Sequence, residues 1–158
     1  MRLNLADIAA VLRVTLPEGA GGVEVLRAVA DSRQARPGDL FACLPGERAD
    51  GHNFAAKAVA QGASAVLAAR PLPGVPAPVV VAEDVLAALG ELARFARLRT
   101  KARVVAVSGS AGKTTLKEMI AQILCSRLDV AKNHKNFNNQ LGLPLTILAA
   151  SGDEDAWV

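Results

Sequence analysis

Gly109-Ser110-Ala111-Gly112-Lys113-Thr114-Thr115 brings two glycines, a lysine and two adjacent hydroxyls into seven residues. Glycine lets backbone N–H groups approach a phosphate oxygen, lysine meets the phosphate as a point charge, and a threonine hydroxyl is a hard oxygen ligand suited to Mg²⁺. In this order the residues predict a turn that binds nucleotide through Ser108, Gly109, Ser110, Ala111, Gly112, Lys113, Thr114 and Thr115. Lys113 is the candidate catalytic cation, reaching the β- and γ-phosphates of ATP, and Thr114 the candidate metal ligand. Thr115 is either a second hydroxyl near the metal or only part of the first helical turn. The common pattern G-x-x-x-x-G-K-[ST] places its first glycine at position 107, where this chain has Val107.

Such a turn needs a strand to deliver it and a helix to receive it. Val104 to Val107 predicts the strand, and Leu116, Met119, Ile120, Ile123 and Leu124 predict the buried stripe of the helix. Phosphoryl transfer also calls for an acidic metal ligand. Past the loop helix the acids are Asp129 and the run Asp153, Glu154 and Asp155, and that run reads as a solvated turn. The expectation is therefore that the chain stops before its nucleotide site is complete.

Upstream, Leu5, Ile8, Ala9 and Leu12 keep helical spacing, and Pro37-Gly38-Asp39 marks a turn before a buried strand from Leu40 to Leu44. A helix follows with Asn53 as its candidate cap and Gly62 past its end, then strands over 65–69 and 79–82. Asp84 is placed to cap a longer helix carrying Val85, Leu89, Leu92, Ala93 and Ala96. Strands alternating with helices predict an α/β fold with a largely parallel sheet. The division expected is a small α/β substrate domain over 1–83, followed over 84–158 by the start of a parallel-sheet ATPase domain of the phosphate-loop type.

Composition excludes several classes. With 51% hydrophobic residues, 21% charged and mean hydropathy +0.27, the 158-residue chain can build a core. Four Phe, one Trp and no Tyr argue against stacking on nucleic-acid bases, and a net charge of +3 is a weak argument for any polyanion. The cluster Arg94, Arg97, Arg99, Lys101 and Arg103 suits a helix C-terminus. Cys43 and Cys125 lie in apolar runs and read as buried free thiols of a reducing compartment. No run reaches the roughly 18 apolar residues of a membrane span, and nothing resembles a signal peptide, so a cytoplasmic protein without membrane insertion is expected.

The short loop Gly109-Ser110-Ala111-Gly112-Lys113-Thr114-Thr115 resembles the ATP loop of the Mur ligases and their folylpolyglutamate synthetase relatives, a family that dispenses with the first glycine and so accounts for Val107. "GKTTLKEMIAQIL", with Lys117-Glu118-Met119, "NFNNQLGLPLTIL" from Asn136, and "DSRQARPGDLFACLPGERADGHNF" from Asp31 extend the resemblance over roughly 31–148. It implies an ATP- and Mg²⁺-dependent ligase, monomeric as the whole protein, that joins D-alanyl-D-alanine to UDP-N-acetylmuramoyl tripeptide through an acyl phosphate. The member that adds the diamino acid is the alternative within the family. The resemblance further implies UDP contacts for Ser32 and Arg33, where a turn stabilised by Asp31 or Ser32 is the other reading. Asn136, Asn138 and Asn139 either order their own loop or reach substrate, with Asn138 and Asn139 ranked above His134. Asp50, Gly51 and His52 read as the approach to the next helix, and a lone His52 is no evidence for a metal. Two other classes stay open: a nucleotide- and UDP-sugar-binding fragment without turnover, and a small-molecule kinase, whose arginine-bearing lid and acidic strand end are not found.

Overall fold

Short runs of small and β-branched residues build two parallel sheets, seen in a computed structural model that describes residues 2–46, 49–132 and 140–158. The first sheet has four strands in chain order: β3 (Arg27–Val29), β4 (Asp39–Ala42), β5 (Ala65–Ala68) and β6 (Val79–Val81). It is preceded by an antiparallel pair, β1 (Leu3–Asn4) with β2 (Glu24–Val25), flanking helix α1 (Leu5–Leu12). Asn4 caps that helix, its Oδ1 accepting from Asp7 N–H at 2.7 Å.

Alternation along the strands sorts the core onto two faces. Leu40, Ala42, Ala65, Leu67 and Val80 face one way, against Leu5 and Ile8 of α1 and one stripe of α3 (Val85–Arg99). Val29, Phe41, Cys43, Val66 and Ala68 face the other way, against Ala55 and Ala58 of α2 (Ala55–Ala60). The α3 stripe is Val85, Ala88, Leu89, Leu92, Ala93 and Ala96, the spacing of one helical face. Asp84 caps it as expected, with Oδ1 accepting from Ala87 N–H at 2.9 Å. Small residues on helix and sheet let the layers approach closely, and each large side chain removed from water contributes about 1.5–3 kcal/mol.

The second sheet is smaller. Its strands β7 (Arg103–Val104), β8 (Val130–Ala131) and β9 (Ala156–Trp157) stand in the order β7-β9-β8, all parallel. Helices α4 (Lys113–Cys125) and α5 (Gly142–Ala149) complete this part. Leu148 of α5 reaches the same core as α1 and α3, so the two sheets share packed helices.

Several local expectations need correction. The strand read over 104–107 is β7 at 103–104, extended by one bond from Val105 N–H to the Trp157 carbonyl at 2.8 Å, because its partner β9 is only two residues long. The strand read from Leu40 to Leu44 is β4, Asp39–Ala42. Asn53 is not the cap before α2: a 3-10 turn at Gly51–Phe54 intervenes, and Asp50 caps that turn. On α4 the described burial falls on Lys117 and Ala121, while Leu116, Met119 and Ile123 are exposed. Cys43 is buried but Cys125, at the end of α4, is exposed; both are free.

Candidate nucleotide and substrate sites

In a parallel sheet ligands gather at the carboxyl ends of the strands, where loops leave for the helices. At that edge of the second sheet lies a cavity of about 590 Å³. It is bordered by Val104, the last residue of β7, through Gly109, by Ala131 and Lys132 at the end of β8, and by Trp157 and Val158 at the end of β9. Lys113, Thr114 and Lys117 line it from α4, and Leu143, Thr146, Ile147 and Ala150 from α5 and the residue after it.

Local geometry shows why glycine stands in the loop. Gly109 has φ +151° and Gly112 has φ +74°, backbone conformations that side chains rarely adopt. Gly112 precedes the first residue of α4 and has no side-chain cap, so the helix opens with uncapped N–H groups and its positive dipole end toward the loop. Lys113 Nζ lies against the Gly109 carbonyl and is 3.5 Å from that of Ser110, so the ammonium sits over the turn.

Of the eight residues expected to hold nucleotide, Ser108, Gly109, Lys113 and Thr114 line the cavity; Ser110, Ala111 and Gly112 form the turn and Thr115 lies in the first turn of α4, none of them lining it. The exposed Thr114 lies on the cavity wall, and its hydroxyl, a hard oxygen, is of the kind that could serve as one ligand of Mg²⁺. Among the described residues no group of three or more His, Cys, Asp or Glu could hold a metal. Glu154 caps the turn at Ser151 and Gly152, and Asp155 accepts from Asp129 N–H at 2.9 Å, in agreement with a structural turn.

Lys117 and Lys132 were not foreseen as cavity residues. The signal for Lys117 is its place four residues after Lys113, on the same helical face; Lys132 had none, since a strand end is known only once the sheet is assembled. Asn136, Asn138, Asn139 and His134 lie outside the described residues.

At the carboxyl edge of the first sheet the polar residues form a second group. Ser32 and Arg33 belong to a 3-10 turn after β3 that Asp31 caps, its Oδ1 accepting from Arg33 N–H at 3.0 Å. The Arg33 guanidinium also folds onto Asp31, with Nη2 2.8 Å from Oδ2, and holds that carboxyl down at about 2. Ser32 is buried and Arg33 exposed. The structure thus realises the Asp31-stabilised turn.

His52 is anchored at both ring nitrogens. Nε2 accepts from Ala69 N–H at 3.0 Å, so the ring proton is on Nδ1, which donates to Asp50 at 2.5 Å. Asp50 also accepts from His52 N–H and from Arg70 at 3.1 Å, and is held at about 2, His52 being the main cause. This network ties the loop after β4 to the end of β5, and it gives His52 a structural task. Arg70 was missed in the sequence; only its place directly after β5 could have flagged it. Cys43 beside this edge is no nucleophile, because burial pushes its thiol up to about 12.

Comparison with known proteins places the chain among relatives of one family. The family described as "Mur ligase family, catalytic domain" matches residues 28–97, and "Mur ligase middle domain" matches residues 107–158. The UDP-N-acetylmuramoyl-tripeptide–D-alanyl-D-alanine ligase of Escherichia coli strain K12 is 44% identical over 125 residues, 79% of this chain and 27% of that protein. The enzyme of the same name from Synechocystis is 36% identical over 159 residues, 98% of this chain and 35% of that protein. The chain therefore spans about a third of the length of such relatives. Among solved structures, MurF from Acinetobacter baumannii superposes with a TM-score of 0.86 at 32% identity, covering 100% of this chain and 35% of that one. The MurF ligase of Thermotoga maritima in complex with ADP gives 0.73 at 36% identity, covering 84% of this chain and 31% of that one.

Proposed function

The chain belongs to the Mur ligase family, and from that membership we propose that it is the amino-terminal portion of an ATP-dependent ligase that joins D-alanyl-D-alanine to UDP-N-acetylmuramoyl tripeptide. The observation that carries this reading is the cavity at the β7–α4 junction, where a glycine turn, an uncapped helix start, Lys113 and Thr114 meet. Relatives of 36–44% identity carrying the D-alanyl-D-alanine ligase name favour that activity over addition of the diamino acid.

In this proposal residues 84–158 open the nucleotide domain and residues 1–83 hold the substrate. Backbone N–H groups of 108–115 receive the phosphates, Lys113 neutralises their negative charge, and Thr114 ligates Mg²⁺. The metal when bound supplies Lewis-acid stabilisation of phosphate charge. A carboxylate is a poor electrophile until one oxygen becomes a good leaving group. Phosphorylation by ATP gives an acyl phosphate, from which the amine of D-alanyl-D-alanine displaces phosphate. Ser32 and Arg33 are assigned to the UDP part of the substrate, a hydroxyl and a guanidinium suiting ribose or diphosphate oxygens; Asn138 and Asn139 are assigned to substrate contact. Cytoplasmic location belongs to the same proposal; among the described residues no helix is long and apolar enough to cross a membrane.

The test is phosphate release by the full-length protein, required to depend on ATP, the tripeptide and D-alanyl-D-alanine together. Lys113→Ala is expected to lower turnover by about 100-fold or more and to weaken ATP binding while UDP-sugar binding persists. ATP affinity unchanged in Lys113→Ala would remove the loop assignment. Turnover by residues 1–158 alone would show that no further acidic ligand is needed.

A further inference from the structure

Lys117 follows Lys113 by one helical turn, and both line the same cavity. Yet Lys117 is only 8% exposed, in a class of side chain that is almost never buried without a charge partner. Its partner is Glu118, with Nζ 3.3 Å from Oε1; the other oxygen of the same carboxylate holds Lys132 Nζ at 2.5 Å. Residues i and i+1 of a helix do not share a face, so this is no ordinary surface pair of α4. Lys132, arriving from the end of β8, helps to fix Glu118 between the two ammonium groups.

Lys113, Lys117 and Lys132 therefore all border one cavity, and a single carboxylate stands against two of them. The wall is otherwise largely apolar, with Leu143, Ile147 and Trp157, so opposite charges attract there more strongly than in water. Lys117 lines the cavity from the turn of α4 that follows Lys113, on the same side of the helix.

We propose that Lys117 is a second phosphate-facing cation, held in place by Glu118 and Lys132, which contacts the terminal phosphoryl group of ATP as it passes to the acyl carboxylate. The inference rests on the ligase reading. In the step it serves, a carboxylate oxygen bonds to the γ-phosphorus, the bond from that phosphorus to the bridging oxygen breaks, and the electron pair leaves with ADP; no proton moves. Two anions must approach one another, and a second cation on the flank adds to the charge of Lys113 in offsetting their repulsion.

The experiment compares ATP and ADP binding by the intact ligase and its Lys117→Met and Lys117→Arg variants, using calorimetry, with turnover measured alongside. Since ADP lacks the phosphoryl group in question, Lys117→Met is expected to weaken ATP by about tenfold or more while ADP stays within about twofold, and to lower kcat by about 100-fold. Lys117→Arg, keeping the charge, is expected to restore most of the ATP preference. Equal weakening of both nucleotides would mark a structural role and overturn the proposal, as would an unchanged ratio. Should Lys117→Met fail to fold, Glu118→Gln, which loosens the tether, must shift the same ratio or the proposal falls. Wild-type protein that binds neither nucleotide would instead overturn the loop reading beneath it.

Discussion

Glu154 shows how a residue's neighbours decide its task. Burial works against its charge, but N–H groups of its own backbone, Ser151 and Gly152 and the Trp157 indole outweigh that, and the carboxyl drops from 4.5 to about 2. A folded value below the unfolded one means that the stability contributed is complete above about pH 4.5 and is lost as pH falls toward 2. Glu154→Gln is therefore expected to lower stability at neutral pH by about 1 kcal/mol, a gap that closes across that window. Urea midpoints taken through the window measure it, and a gap constant with pH would show that charge plays no part. At this scale the sequence was legible where chemistry is local: Lys113 and Thr114 follow from their neighbours in the chain. Arg70 and Lys132 were not legible as partners of Asp50 and Glu118, because those contacts join residues 20 and 14 apart in the chain, on different elements.

Elements were legible in proportion to their length. The 15-residue α3 declared its cap and its stripe, whereas β8 and β9, of two residues each, hold too few positions for a period to show. Their order, with β9 between β7 and β8, is set by partners far apart in the chain. In the first sheet a partly buried ion pair joins the starts of two strands. Arg27 of β3 binds Asp39 of β4 through Nε at 2.7 Å and Nη2 at 2.8 Å, and the two residues are partners in the strand register. Asp39 also accepts from Arg36 N–H at 2.8 Å, so it closes the turn that leads into β4. Removing one member of such a pair leaves the other charge uncompensated. Asp39→Ala is expected to cost about 3 kcal/mol, read from denaturant unfolding of the full chain, while a loss below about 1 kcal/mol would place the pair among exposed bridges of little consequence.

At the scale of the whole molecule, the periodicity of α4 is real but what covers it cannot be read from periodicity. Leu116, Met119 and Ile123 fall on one side at 49%, 55% and 69% exposure, and Leu143 on α5 adds another open side chain at 54%. Burying each such side chain is worth about 1.5–3 kcal/mol, so a chain presenting them to water gains by pairing them. α3 makes the contrast: its stripe has a four-stranded sheet beneath it, whereas α4 borders three strands of two residues each. Residues 1–158 in isolation are therefore expected to self-associate as concentration rises, in sedimentation velocity. Met119→Lys combined with Ile123→Glu should hold them monomeric without moving the thermal transition of the first sheet, since neither side chain belongs to its core. Self-association that survives both substitutions would place the contact surface away from α4.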